Sequence, residues 1–153
     1  MFEAWNFDEA LSHLIILSVA YVLALPIGWN RERQERSAGL RTFPIVSMAA
    51  CGFVLIAIEV LGAGSEGQAR ILEGLMTGIG FIGGGAILKQ GDRARGTATA
   101  ASLWATGAMG AAVGYGQLDI AVILSAVIFL TLSLLSPIVK AVQEKSDSVG
   151  EDV

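Results

Sequence analysis

The chain has 153 residues, 54% of them hydrophobic, with a formal net charge of −4 and a mean hydropathy of +0.64. So much apolar sequence with so little charge excludes an ordinary soluble domain, and the acidic balance argues against nucleic acid as a partner. The single cysteine, Cys51, excludes an intrachain disulfide and reads as a structural thiol inside an apolar run.

Five apolar runs cover roughly residues 11–28, 43–61, 71–88, 97–114 and 118–138. Each reaches the length of about 17–25 mostly apolar residues that a membrane-crossing helix needs. The sequence therefore predicts an all-α membrane protein, a bundle of about five transmembrane helices over residues 1–138. A short polar tail follows over 139–153.

The first run is preceded by acids and aromatics. Phe2, Trp5 and Phe7 suit a membrane–water boundary, and Asp8 and Glu9 suit the start of a helix, where the helix dipole favours anions. His13, the only histidine, makes no metal site by itself. The acidic leader is unlike the basic start of a cleaved signal peptide, so the run is expected to be retained. Pro26 near its end is a candidate kink.

The segment 29–42 carries Arg31, Arg33, Arg36 and Arg41. A helical extension there pairs Arg31 with Glu35 and Glu32 with Arg36 at i,i+4. Gly39 is expected to end the extension and Thr42 to cap the second helix just before Pro44.

The short segment 62–70 follows the second run. The third run is dense in glycine: Gly74, Gly78, Gly80, Gly83, Gly84 and Gly85, with two Gly-x-x-x-Gly pairs. The fourth carries Gly107, Gly110 and Gly114, with Thr99, Ser102 and Thr106 three or four residues apart. In lipid, helices associate where small residues let backbones approach. The third and fourth helices are therefore expected to form the tightly packed centre, and the Leu- and Ile-rich first and fifth to face lipid. These small residues are helix-packing or partner-binding candidates. The alternative reading is a partly unwound Gly83–Gly85 that exposes carbonyls, as in broken transporter helices. A parallel internal repeat is also visible: Gly28, Arg36, Gly39 and Thr42 recur in order as Gly85, Arg93, Gly96 and Thr99.

Five crossings place nine of the ten basic residues on one side, with Arg70 alone on the other. Lys and Arg accumulate on the cytoplasmic side, so the N-terminus is expected outside and the C-terminus in the cytoplasm. Arg31, Arg36, Arg41, Arg93 and Arg95 then form cytoplasmic basic loops. Three readings stay open for these loops: orientation with contact to anionic lipid, a docking surface for a protein, or a site for a phosphate-bearing ligand.

Glu59, Glu66 and Glu73 map to the opposite side. Glu59 and Glu73 are weak metal candidates. They either satisfy helix ends and solvent or share a cation such as Mg²⁺, which needs only one or two carboxylates. Gly78-x-Gly80-x-x-Gly83 matches a nucleotide-binding fingerprint in letters only, since that motif needs a preceding strand. With no nucleophile–base pair, metal-ligand cluster or phosphate loop, neither enzymatic activity nor a cofactor is expected.

Four ordered motifs resemble the MgtC/SapB family of bacterial membrane proteins. They are Gly28-Trp-Asn-Arg-Glu-Arg33, Ala38-Gly-Leu-Arg-Thr42, Thr77-Gly-Ile-Gly-Phe-Ile-Gly-Gly-Gly85 and Arg95-Gly-Thr-Ala-Thr-Ala-Ala-Ser-Leu-Trp104. Gly28, Glu32, Gly39, Leu40, Thr42 and Trp104 carry the match. The resemblance implies a multi-pass protein of the bacterial inner membrane, linked to magnesium homeostasis or stress adaptation. It would regulate or bind another inner-membrane protein. Homo-oligomers are expected on a separate ground, since five spans need further copies to enclose a path. The alternative is a transporter or channel component for Mg²⁺ or another small solute. Ala98 and Glu73 depart from the pattern, as does the short tail, which has no room for the C-terminal soluble domain of the virulence-factor members.

Overall fold

The computed structural model describes residues 6–34, 37–90 and 93–150. Glu35, Arg36, Gly91 and Asp92 lie outside the described residues, as do Phe2 and Trp5. So do the side chains of Lys89, Gln90, Arg93 and residues 140–150. Five helices follow in order: α1 (Phe7–Arg33), α2 (Thr42–Leu61), α3 (Gly67–Gly85), α4 (Thr97–Gly114) and α5 (Leu118–Gly150). Between α3 and α4 stands a hairpin of two three-residue strands, β1 (Leu88–Gln90) and β2 (Arg93–Arg95), paired antiparallel with Leu88 opposite Arg95.

Helices α1, α2 and α5 are long and apolar enough to cross a membrane. Helices α3 and α4, of 19 and 18 residues, are close to the 20 residues of α2 in length, but Gly, Ser and Thr replace much of their aliphatic content.

Local chemistry explains the helix ends. Asn6 caps α1, its Oδ1 accepting the Asp8 N–H at 3.1 Å, and Asp8 and Glu9 occupy the first turn as the dipole argument requires. Pro26 lies within α1 and Pro137 within α5. Thr42 is the first helical residue of α2 rather than its cap. The position before it, Arg41, makes no side-chain capping bond. The Gly39 carbonyl instead accepts the N–H groups of Thr42 and Phe43 at 3.0 and 3.1 Å. Pro44 fits the first turn, where an absent N–H costs nothing.

Side-chain contacts fix the directions. Ser47 Oγ donates to the Ala20 carbonyl at 2.7 Å, and Gly52 faces Leu17, so α1 and α2 are antiparallel. Gly110 meets Ser47 and Gly114 meets Cys51 and Val54, so α2 and α4 run parallel. Gly83 meets Ala100 and Gly107 meets Ile79, so α3 and α4 are antiparallel. Ser125 donates to the Leu23 carbonyl and Asn30 to Ser133, so α1 and α5 are parallel. The bundle thus has two chemically distinct ends. Arg31, Arg33, Arg41 and Arg95 share one; Asp8, Glu9, Glu59, Glu66, Glu73 and Asp119 share the other, together with Arg70.

The centre is α4, which touches all four other helices. It buries Thr99, Ser102, Leu103, Thr106, Gly107, Met109, Gly110, Val113 and Gly114. Its principal partner is α2, whose Ser47, Cys51 and Val54 face the Gly110–Gly114 pair. The expected pairing of α3 with α4 at the centre therefore holds for α4 alone. Helix α3 buries only Gln68, Ile79 and Gly83 and stands at the edge of the bundle. Its glycine-rich end is helical through Gly85, so the unwound alternative at Gly83–Gly85 is not what the chain adopts. Helix α5 continues past residue 138 to Gly150, so the polar tail begins as a helical extension of the last span.

Candidate interaction surfaces

The glycines of α3 and α4 do opposite things. A methyl group built at Gly110 would overlap the Ser47 carbonyl oxygen and lie 2.8 Å from its carbonyl carbon. At Gly114 it would lie 2.8 Å from Val54 Cβ. At Gly83 it would sit 3.2 Å from the Ala100 carbonyl oxygen. The same methyl at Gly74, Gly78, Gly80, Gly84 or Gly85 meets nothing within 4 Å.

At 3.6 residues per turn, Gly74, Gly78, Phe81 and Gly85 fall on one stripe of α3. Gly80 and Gly84 flank it. Ile79 and Gly83 point the other way, into the bundle. Phe81 is 84% exposed in the middle of this stripe. The result is a face poor in side chains, carrying the Phe81 ring and the exposed Thr77, with Ile82 at its border.

The hydroxyl-bearing residues Thr99, Ser102 and Thr106 of α4 are buried. Ser102 donates to the Thr99 carbonyl at 2.9 Å and Thr106 to the Ser102 carbonyl at 2.8 Å, so both are satisfied within their own helix and buried. On the other flank of α3 a half-open apolar groove of about 470 Å³ runs between α3, α4 and the start of α5. Leu75, Met76, Ile79, Trp104, Ala108 and Tyr115 line it, with Trp104 47% exposed.

At the cationic end, four of the motif residues converge. The Glu32 carboxylate accepts the Leu40 N–H at 3.0 Å. A methyl group at Gly39 would overlap that carboxylate, and one at Gly28 would lie 3.1 Å from Leu40 Cα. Glu32 thus clamps the connection between α1 and α2, a role that i,i+4 pairing with Arg36 would not have suggested. Arg36 itself is outside the described residues, and Arg93 is placed by backbone only, on β2. Arg41 and Arg95 are exposed. Gly96, with φ of +95° and its α-carbon against the Ala86 carbonyl, turns the hairpin into α4.

Of the two metal candidates, Glu59 lines a groove between α1 and α2 with His13, and Glu73 is exposed in α3. Among the described residues no three His, Cys, Asp or Glu side chains are grouped to hold a metal.

The family model for the MgtC family matches residues 17–141, which reaches from within α1 to within α5 and takes in every motif just placed. The chain belongs to the MgtC family. Protein slr0014 of Synechocystis is 38% identical over 134 residues, 88% of this chain and 54% of its own length. Protein MgtC of Brucella abortus is 35% identical over 127 residues, 83% of this chain and 52% of its own length. Protein SrpB of Synechococcus elongatus is 35% identical over 129 residues, 76% of this chain and 71% of its own length. The chain thus spans about half the length of the first two. No solved structure matches it. Family membership and the three long apolar helices make this a membrane protein of the MgtC family.

Proposed function

We propose that this MgtC-family chain is a non-enzymatic, multi-pass protein of the bacterial inner membrane that works by lateral contact with another inner-membrane protein through the open face of α3. Its cationic end lies in the cytoplasm and its acidic end outside, as the distribution of Lys and Arg favours. A link to magnesium homeostasis or stress adaptation follows from the family resemblance.

One observation carries the reading. The close-packing glycines of α4 are used up inside the bundle, while Gly74, Gly78, Gly80, Gly84 and Gly85 of α3 face open space. Lipid offers a helix no hydrophobic reason to leave it. A smooth glycine face gains its van der Waals contacts only when another backbone lies against it.

A photoreactive amino acid at position 81, followed by mass spectrometry of the crosslinks, tests this in cells. A small set of membrane proteins should be captured, and Gly78→Leu should abolish their capture without lowering the level of folded protein. Crosslinks to lipid alone, or capture unchanged in Gly78→Leu, would remove the reading.

A further inference from the structure

Between α1 and α5 at the cationic end is a half-open cleft of about 350 Å³, lined by Trp29, Asn30, Arg33, Gln34, Phe129 and Ser133. Its hydrogen bonding is lopsided. Asn30 Oδ1 accepts from Arg31 Nη2 at 3.0 Å and from Gln34 Nε2 at 3.0 Å. Gln34 Oε1 accepts from Arg31 Nη2 and from Ser136 Oγ, each at 3.3 Å. A side-chain carbonyl has two lone pairs, so Asn30 Oδ1 is saturated, while Gln34 Oε1 shares the single Ser136 proton with the Leu132 carbonyl.

The donors are not all engaged. Gln34 Nε2 is fully engaged, its second bond going to Ser136 Oγ at 3.2 Å. Asn30 Nδ2 gives one of its two hydrogens to Ser133 Oγ at 2.9 Å. That leaves the Ser133 hydroxyl proton and the second Asn30 N–H unused among the described residues. The Arg33 guanidinium is exposed above them and makes no ion pair among the described residues. The cleft presents spare donors and a full positive charge, and its remaining acceptor capacity is confined to hydroxyl and amide oxygens already in use. An acceptor-rich, anionic group complements such a surface.

Its surroundings narrow the chemistry further. Trp29 is 55% exposed at the rim, where amphipathic rings settle at head-group level. Phe129 lies one turn of α5 from Ser133 toward the apolar middle of the bundle. Polar donors above and an aromatic ring below match a molecule that is ionic at one end and hydrocarbon at the other.

We propose that this cleft binds an anionic phospholipid. The head-group phosphodiester accepts from Arg33, Asn30 and Ser133, and the first part of an acyl chain lies on Phe129. The proposal rests on the membrane reading but not on the α3 face, so the two fail separately.

The full chain in neutral detergent, titrated with phosphatidylglycerol or phosphatidylcholine and followed by native mass spectrometry, tests it. Phosphatidylglycerol should be retained about tenfold better, the equivalent of one charge-assisted hydrogen bond. Arg33→Gln, a change at an exposed side chain, should bring retention down to the phosphatidylcholine level with an unaltered lipid-free melting temperature. Ser133→Ala should lower it in the same direction. Arg95→Gln, which removes an exposed charge at the same end but outside the cleft, should retain the lipid. The proposal is overturned if Arg33→Gln binds as the parent does, or if Arg95→Gln loses as much. Displacement of the lipid by millimolar inorganic phosphate would also overturn it, since a free anion would then be the ligand.

Discussion

Gly110 of α4 lies directly on the backbone of Ser47 in α2, whose own hydroxyl is tied to the Ala20 carbonyl of α1. Three helices are locked through two small residues. A side chain at 110 has no flexible neighbour to displace, because what it meets is main chain. Gly110→Ala should therefore destabilise the bundle by about 1–3 kcal/mol or more, the usual range for overpacking a core. Gly78→Ala, which meets open space, should be neutral or mildly stabilising, since Ala exceeds Gly in helix propensity by about 1 kcal/mol. Thermal unfolding in detergent, compared between these two variants, checks the contrast.

Glu32 and Gly39 form the second clamp. Glu32→Ala removes the acceptor for the Leu40 N–H and should cost about 1.5 kcal/mol, the low end for a hydrogen bond to a charged group because this one is open to solvent. Glu32→Gln keeps an oxygen there and should cost less. Gly39→Ala should be at least as damaging as Glu32→Ala, because the methyl displaces the carboxylate itself. Melting temperatures of the three variants give the order directly.

Gly96→Ala should lower stability by about 1–3 kcal/mol, since a side chain at φ +95° is strained and also collides with Ala86. Its effect should be greatest at the hairpin. Faster proteolysis between Leu88 and Arg95, relative to the rest of the chain, is the expected signature.

Orientation is open to a labelling experiment that the native thiol does not disturb, because Cys51 is buried. A membrane-impermeant maleimide applied to intact cells should modify Ala63→Cys, at the acidic end, and spare Ser37→Cys, at the cationic end. The reverse pattern would invert the protein in the membrane.

Much of the fold was legible in the sequence. Long charge-poor runs admit one structure in lipid, so the five helices and the shared end of the basic residues could be read without coordinates. Glycine spacing was less informative. Gly-x-x-x-Gly states that a backbone can be approached; it does not say by what. Gly110 and Gly114 meet α2, while Gly74 and Gly78 carry the same spacing and meet nothing in this chain. The hairpin was missed because three-residue strands carry almost no periodicity. Its one signal is Gly91-Asp92, a favoured pair for a two-residue turn, between Gln90 and Arg93. The Glu32–Leu40 bond was hidden for another reason: an i,i+4 partner was nearer in sequence, and only the folded turn shows that the carboxylate points to the backbone instead. The donor-rich cleft escaped notice because its two halves lie about a hundred residues apart, from Asn30 to Ser133.

Helix α4 acts as a keystone. Clasped by every other helix, it cannot slide out or swing aside without dismantling the whole assembly. Helix α3 leans chiefly on α4 and α2, as α5 leans on α4 and α1. A neighbour pressing on the open face of α3 from the bilayer would reach the keystone through a single layer of contact, Ile79 against Gly107.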